Sequence, residues 1–201
     1  MHLPDVPPGI RLLGLTGAPG VGKSTLAAAL GLPIVPMDGF HYADVELVRR
    51  GLRDRKGAPE TFDAEGYAAL LARVRSGEED VVAPMFARDL EQPIAGAIAV
   101  PASGTVLTEG NYLLLDEPRW HAVRRQLDVV WHLHVDDAVR RERLVARHVE
   151  FGKTPDEARA WVARVDDANA RLVEAAAGRA DLVVELVTDL TGAAPRRTPP
   201  A

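Results

Sequence analysis

The stretch Gly17-Ala18-Pro19-Gly20-Val21-Gly22-Lys23-Ser24 matches the pattern G-x-x-x-x-G-K-[ST]. In this pattern, glycines let successive backbone N–H groups converge on phosphate oxygens, and the helix that follows adds its positive N-terminal dipole. The lysine reaches the outer phosphates, and the serine hydroxyl binds Mg²⁺. The stretch therefore predicts a nucleoside triphosphate site, with phosphate contacts from Gly17 to Ser24 and from the adjoining Thr25.

The context of this loop favours the same interpretation. Ile10–Leu15 is an apolar run typical of a short buried strand, and Lys23–Leu30 is rich in alanine and leucine, as expected of a helix. The alternative is an ordinary glycine-rich turn. A phosphate-binding loop must lie between a strand and a helix, and this one does.

Composition limits the other classes of function. A chain of 201 residues fits one domain, which we place at residues 1–190, with a tail at 191–201 predicted to be disordered. A net charge of −5 offers no basic surface for nucleic acid or membrane, and the absence of cysteine excludes disulfides and thiolate chemistry. We predict a cytoplasmic protein with no nucleic-acid or membrane partner.

Apolar runs alternate with helical patterns along the chain, which predicts an α/β fold with a mainly parallel sheet. The predicted strands are Ile10–Leu15, Pro33–Pro36, Val81–Pro84, Thr105–Thr108, Val129–Val135 and Leu182–Val187. The predicted helices are Lys23–Leu30, Asp44–Arg50, Ala64–Ser76 capped by Asp63, Arg119–Gln126, Asp137–His148 and Asp156–Ala177. Between Pro84 and Pro101 the pattern predicts a small hairpin-like excursion beside the sheet.

Ligands of open α/β sheets bind at the carboxyl ends of the strands, so acidic residues that follow strands are informative. Asp38 follows the second apolar run, and Gly39 is expected to allow a sharp exit that turns the carboxylate toward the phosphates. The alternative for Asp38 is a turn or a helix cap. Glu109 and the Asp116-Glu117 pair compete for the Mg²⁺ role. We assign it to Glu109, and a helix cap to Asp116.

Arginines are concentrated after Val135, in a predicted helix that ends near a glycine. Arg143 and Arg147 are four residues apart and share one helix face. They suit a lid, at about residues 137–155, that closes over phosphates and neutralises the charge of phosphoryl transfer. The alternative is a solvated charged face.

These residues together resemble the P-loop small-molecule kinases that include uridine kinase, phosphoribulokinase and bacterial pantothenate kinases, and among these the fructose transport system kinase-like proteins. The resemblance extends over most of the chain. It is carried by the phosphate loop and by Met37-Asp38-Gly39-Phe40-His41, Arg55–Asp63, Ala83-Pro84-Met85-Phe86, Glu109-Gly110-Asn111-Tyr112, Asn169-Ala170 and Arg179-Ala180-Asp181.

The resemblance implies a P-loop three-layer sandwich with a helical lid, and it implies ATP and Mg²⁺ as cofactors. Asp38 would be the catalytic base and, with Ser24 and Glu109, would lie at the metal. Lys23, Arg143 and Arg147 would contact phosphates. Residues on the substrate side would be Asp38, His41, Arg55, Lys56, Arg88, Asn111, Tyr112 and Asn169. For Arg55, Lys56 and Arg88 the alternative is surface charge, and for Asn169 it is an ordinary place on a helix surface.

The expected activity is ATP-dependent phosphorylation of a hydroxyl group on a small metabolite such as a sugar, a nucleoside or a pantothenate-like compound. The resemblance is compatible with assembly of the chain as a homodimer. The alternatives are a nucleotide-binding switch and a metabolite-sensing regulator without turnover. A GTPase-like switch is disfavoured, because neither asparagine, Asn111 nor Asn169, precedes a lysine as the base-reading N-K-x-D motif requires.

Overall fold

The computed structural model describes residues 4–186 and the short strand Arg197–Thr198. Its strands are β1 Leu12–Gly17, β2 Ile34–Pro36, β3 Val82–Ala87, β4 Gln92–Ala99, β5 Val106–Glu109, β6 Val129–His134, β7 Leu182–Glu185 and β8 Arg197–Thr198. The central sheet has the order β2-β5-β1-β6-β7-β8. The first five of these strands are parallel, and β8 pairs antiparallel with β7. The predicted α/β class is therefore confirmed.

The helices are α1 Lys23–Leu30, α2 Asp44–Arg50, α3 Ala64–Arg75, α4 Pro118–Arg124, α5 Asp137–Glu150, α6 Pro155–Trp161 and α7 Asp167–Ala175. The predicted bounds of α1 and α2 are confirmed. Asp63 caps α3 as predicted, because its carboxylate accepts a hydrogen bond of 3.0 Å from the backbone N–H of Gly66. Such a cap satisfies one of the free N–H groups of the first turn and contributes about 1 kcal/mol.

Two apolar clusters cover opposite faces of the sheet. Successive residues of β1 divide between them, with Leu12 in one cluster and Leu13 and Leu15 in the other, as the alternation of side chains along a strand requires. The first cluster includes side chains of α3, α4 and α7, and the second includes Leu26 and Ala27 of α1. Helices therefore pack on both faces, and the fold is the predicted three-layer sandwich.

The strand predicted at Val81–Pro84 is present, but it does not belong to the central sheet, so its expected place in the parallel sheet is wrong. Its residues begin β3, which pairs with β4 in a separate antiparallel hairpin. The pairing register shifts between Ala83 and Met85, around Pro84, because proline has no N–H to donate to a strand partner. An apolar run shows that a strand is present, but not which strand it pairs with. The predicted hairpin-like excursion is confirmed, and it begins earlier than expected.

The hairpin packs on a 3-10 turn, Met37–Phe40, that follows β2. A Cβ atom on Gly39 would collide with the carbonyl group of Pro84, 2.7 Å from its carbon, so only glycine permits this approach. Gly39 does not have a positive φ angle. The sharp exit expected after β2 is this 3-10 turn, which does not need a glycine conformation, and the role of Gly39 is to admit the hairpin beside Asp38.

The long helix predicted at Asp156–Ala177 is interrupted. It starts at Pro155, after a capping box between Thr154 and Glu157, and Val162–Asp166 form a π-helical turn between α6 and α7. Hydrophobic periodicity does not reveal a single π turn. The one residue that such a turn adds only rotates the apolar face of the helix about its axis.

The end of the chain is described in part. Val187, the last residue of the predicted strand, lies outside the described residues, as does the predicted tail except for Arg197–Thr198, which form β8. Across residues 4–186 and β8, no helix combines the length and the apolar character that crossing a membrane would require.

We expect Gly39→Ala to destabilise the protein, because its methyl group would meet backbone atoms that cannot move without shifting the hairpin. The cost of such overpacking is about 1–3 kcal/mol. Gly178→Ala is the matched control, since Gly178 also lies in a 3-10 turn but a Cβ there would meet nothing within 4 Å. Urea unfolding of both variants measures the difference. Equal stability of the two would contradict the assigned role of Gly39.

Candidate active site

The phosphate-loop backbone is pressed against β6 and α5. A Cβ on Gly17 would lie 2.5 Å from the carbonyl oxygen of Leu133, and one on Gly20 would lie 2.7 Å from Cγ of Leu144. Gly20 and Gly22 also have positive φ angles of 82° and 108°. These contacts give the loop a compact turn directly before α1. The loop thus has the geometry that a triphosphate requires, with backbone N–H groups at a helix N-terminus.

Lys23 lies at the centre of this loop. Its ammonium group donates hydrogen bonds of 2.9 Å to the Gly17 carbonyl oxygen, 3.3 Å to that of Ala18 and 2.7 Å to Oδ1 of Asn111. Burial lowers the pKa of Lys23, while the negative charges of Glu109 and Asp38 partly offset that effect. The two next residues, Ser24 and Thr25, are exposed at the start of α1, where a bound ligand could reach them.

Two acidic residues approach Lys23 from adjacent strands. Glu109 ends β5 and is in register with Leu15 of β1 and Pro36 of β2, and Asp38 comes two residues after the end of β2. Burial and the negative charge of Asp38 raise the pKa of Glu109, whereas Lys23 lowers it. The sheet order therefore brings together the lysine and the two carboxylates selected from the sequence.

Asp38 also has partners on the side away from the phosphate loop. Its Oδ2 accepts a hydrogen bond of 2.6 Å from Nη2 of Arg88, which follows β3. His41 donates from Nδ1 to the Asp38 carbonyl oxygen at 2.8 Å. Burial lowers the pKa of His41, and the cations Lys56 and Arg88 add to this effect, while Asp38 opposes it. The imidazole therefore favours its neutral form.

Two aromatic rings line this side and were not selected from the sequence. The centroids of Phe62 and Phe86 lie 3.9 and 4.9 Å from that of the His41 ring. Both phenylalanines belong to segments that carry the family resemblance, and their aromatic character was the available signal. Their contact with His41 depends on the hairpin and on the loop before α3, which a pattern along the chain does not bring together.

The predicted lid arginines occupy different positions. Arg143 donates a hydrogen bond of 3.2 Å to the Val21 carbonyl oxygen, so it contacts the phosphate loop directly. Arg147 is one turn further along α5, where its side chain reaches solvent but is crowded by neighbouring protein atoms. Partial burial and the positive charge of Arg88 lower the pKa of Arg147, while Asp166, Asp38 and Glu109 oppose this change. Arg147 thus acts electrostatically on both carboxylates of the site.

The predicted basic residues between α2 and α3 have protein partners. Arg55 is exposed and pairs with Glu60 at 2.7 Å. Lys56 is more enclosed and pairs with Asp44 at 2.6 Å, and it also donates to the Glu91 carbonyl oxygen in the hairpin turn. Lys56 therefore links α2 to the hairpin, while Arg55 has the environment of a surface residue.

Tyr112 and Asn169 converge on the same backbone carbonyl. The hydroxyl of Tyr112 donates to the Gly57 oxygen at 2.6 Å, and the amide of Asn169 donates to it at 3.4 Å. Both residues are buried. They hold the loop before α3 in place, whereas Asn111 contacts the phosphate loop through Lys23.

The assignment of Asp116 as a helix cap is wrong. The residue at the N-cap of α4 is Glu117, and no side chain caps that helix. Asp116 instead pairs with His121 at 2.7 Å and with Arg179, which joins α4 to the turn before β7. These two partners draw the carboxylate away from the helix end.

Across residues 4–186, no group of three or more His, Cys, Asp or Glu side chains is arranged to hold a metal ion.

The fold and the loop geometry define a P-loop protein of the kinase type. No family model matches the chain. The chain is 35% identical over 193 residues to a Schizosaccharomyces pombe protein named "putative uridine kinase", covering 87% of this chain and 82% of that protein. It is 34% identical over 186 residues to the uncharacterized protein YggC of Escherichia coli, covering 87% of this chain and 77% of that protein.

A solved structure agrees with these relatives. The "putative fructose transport system kinase" of Silicibacter sp. superposes with a TM-score of 0.75 and 44% identity, covering 87% of this chain and 89% of that one. The chain therefore belongs to the P-loop small-molecule kinase family of these relatives. It is an ATP-dependent kinase that transfers phosphate to a small molecule.

We expect Lys23→Met to separate nucleotide binding from stability. Loss of the ammonium should weaken ATP binding at least about tenfold, because a charge-assisted contact to phosphate disappears. The unliganded protein should melt at an equal or higher temperature, since burial disfavours this charge in the folded state. Calorimetric titration and thermal melting test the two effects. A large loss of unliganded stability would contradict the electrostatic cost assigned to Lys23.

Proposed function

We propose that this kinase phosphorylates a hydroxyl group of a small metabolite and that Asp38 is its catalytic base. The observation that carries the proposal is the convergence of Lys23, Asp38 and Glu109 at the carboxyl ends of adjacent parallel strands. Lys23 and the loop N–H groups mark the phosphate side. Asp38 faces Arg88 and His41 on the other side, where an acceptor would bind.

The proposed step is an in-line displacement. The acceptor oxygen forms a bond to the γ-phosphorus of ATP, and the bond from that phosphorus to the β–γ bridging oxygen breaks, releasing ADP. The hydroxyl proton passes to the carboxylate of Asp38 and then to solvent. Little covalent chemistry is required of the protein, so positioning and electrostatic stabilisation supply most of the rate enhancement.

Ser24 and Glu109 are the proposed Mg²⁺ ligands, with Asp38 close to the same position. Mg²⁺ is held by one or two protein oxygens together with phosphates and waters, so it needs no cage of protein side chains. The exposed hydroxyl of Ser24 and the carboxylate of Glu109 fit this requirement. When bound, the ion would neutralise charge on the β- and γ-phosphates.

Arg143 and Arg147 are the proposed phosphate contacts from α5. Arg143 already touches the loop at Val21, and Arg147 lies within electrostatic reach of Lys23, Asp38 and Glu109. A guanidinium group at the transferring phosphoryl stabilises the charge of the transition state more than that of the bound substrates. We infer that both residues lower the barrier to transfer when α5 closes on the nucleotide.

The named relatives support a hydroxyl acceptor without identifying it. Uridine, fructose and pantothenate, the compounds in the names of the relatives and of the pantothenate kinases that also match, differ in size and charge. They share a hydroxyl group that can accept phosphate. The acceptor class proposed at this level is therefore a sugar, a nucleoside or a pantothenate-like alcohol.

We expect Asp38→Asn to lower kcat by roughly 100-fold or more, because the amide cannot take the hydroxyl proton. The affinity for ATP should stay within about threefold of that of the unchanged protein, since Asp38 is not proposed to bind the nucleotide through its charge. The measurements are steady-state transfer with a responsive acceptor and ATP titration. Asp156→Asn, at an exposed aspartate paired with Arg159, is the matched control. Equal loss of turnover and ATP affinity in Asp38→Asn would indicate a structural role.

Glu109 should make Mg²⁺ activation sensitive to mild acid. Because its pKa is raised, Glu109 takes up a proton at pH values where an ordinary glutamate is ionised, and the protonated group is a poor metal ligand. The apparent Mg²⁺ activation constant should therefore rise as pH falls through that raised pKa.

Glu109→Gln separates this effect from protonation of ATP itself, which is common to both proteins. The advantage of the unchanged protein over Glu109→Gln in Mg²⁺ activation should shrink as pH falls. Glu78→Gln, at an exposed glutamate paired with Arg73, should behave as the unchanged protein does. A difference between the unchanged protein and Glu109→Gln that stays constant down to the ordinary range of a glutamate would refute this assignment.

A further inference from the structure

The Arg88–Asp38 ion pair conflicts with the proposed role of Asp38. The pair is short, with Nη2 of Arg88 2.6 Å from Oδ2 of Asp38. A guanidinium bound to a carboxylate occupies one of its oxygens, so that oxygen cannot at the same time accept a hydroxyl proton. Another group must bind the Arg88 guanidinium before both oxygens of Asp38 are available to accept the proton.

Arg88 is free to change partners. Its side chain is 51% exposed, compared with 29% for Asp38, and it lies in the turn of the hairpin between β3 and β4. Its guanidinium carbon is 5.3 Å from the centroid of the Phe86 ring, which supports the charge from one face. Exposed ion pairs of this kind contribute little to stability, so an incoming anion can displace Asp38 from Arg88.

Three cations, Arg88, Lys56 and Arg147, act at the proposed acceptor side, where Arg88 pairs with Asp38 and Lys56 pairs with Asp44. Arg88 and Lys56 both act on the half-buried imidazole of His41, and Arg88 also repels Arg147 across the cleft. Lys56 is 5.5 Å from the same Phe86 ring centroid. An anion placed between these groups would relieve the repulsion, whereas a neutral acceptor would leave it in place.

We propose that the phosphate acceptor is an anion, carrying a carboxylate or a phosphate group near its reactive hydroxyl, and that this group binds Arg88. Binding of the anion withdraws Arg88 from Asp38, and the released carboxylate then accepts the hydroxyl proton. Arg88 is thus a specificity-determining residue that couples recognition of the acceptor to activation of the base. This inference rests on the proposed transfer to a hydroxyl.

Matched acceptor pairs test the proposal with the full-length protein and Mg·ATP. The pairs are glycerate and glycerol, gluconate and glucose, pantothenate and pantothenol, and fructose 6-phosphate and fructose. We expect kcat/KM for the charged member of the responsive pair to exceed that for its neutral partner at least about tenfold, as one charge-assisted hydrogen bond supplies. The first three pairs test recognition of a carboxylate group on the acceptor, and the last pair tests recognition of a phosphate group.

Arg88→Gln supplies the second readout. It should lower kcat/KM for the charged acceptor roughly 10- to 100-fold and maintain or raise kcat/KM for the neutral acceptors, because Asp38 is no longer held in the ion pair. Arg88→Lys should recover part of the loss, because it keeps the charge but not the planar fork. Arg73→Gln, at an exposed arginine paired with Glu78 on the far end of α3, should change none of these values.

The outcomes separate this inference from the proposed function. Preference for neutral acceptors, or an equal loss for both members of a pair in Arg88→Gln, would overturn the anionic acceptor while the kinase reaction stands. Absence of transfer to every member of the panel would overturn both proposals. Selective loss for the charged member, with partial recovery in Arg88→Lys, would support the exchange of partners at Arg88.

Discussion

The site depends on an ammonium group held away from water at the carboxyl edge of a parallel sheet. Lys23 gives up hydration for two carbonyl oxygens of its own loop and the amide oxygen of Asn111. Desolvation of a charge is costly unless it finds partners, so the loop requires negative charge nearby. Glu109 and Asp38 supply it, and the approach of phosphates would supply more. The unfavourable burial of this positive charge makes the loop costly to fold, and it also favours binding of a negatively charged triphosphate.

The order of the strands determines which residues meet that charge. Placing β5 between β1 and β2 brings Glu109 beside the loop and carries Asp38 to its far side. The phosphate side and the proposed acceptor side of Asp38 are therefore built from different parts of the chain. Parallel strands and α1 form the first, while the hairpin, His41 and the loop before α3 form the second. A carboxylate on this boundary is suited to work between two substrates.

Much of this arrangement could be predicted from the sequence. The glycine-rich loop and the bounds of α1 and α2 follow from short-range chemistry, because glycine conformation and hydrophobic periodicity act within a few residues. Glu109 ends a strand beside the loop, as the β-branched residues before it indicated, while its Mg²⁺ role stays a prediction. The Arg88–Asp38 pair could not be predicted as a contact. It depends on a hairpin leaving the central sheet, and Pro84 gave only an indirect sign of that.

The errors have a common physical origin. Gly39, Asp116 and the helix at 156–177 were each interpreted from local conformation, and each is controlled by a partner distant in the chain. Gly39 is required by a carbonyl group of β3, Asp116 is drawn to Arg179, and the helix accommodates a π turn that places Asp166 against His148 at 2.9 Å. Local propensity sets which conformations are available, and tertiary contacts choose among them.

The separation of the hairpin from the central sheet has a consequence for how such enzymes diversify. The hairpin is a two-stranded unit outside the parallel sheet, and it contributes Arg88 and Phe86 to the proposed acceptor side. Its sequence and length can change without altering the strands that carry Lys23 and Glu109. New acceptors are thereby accessible through insertion or substitution in one appendage, provided that the glycine beneath it is kept. Catalysis and choice of substrate can evolve at different rates within a single domain.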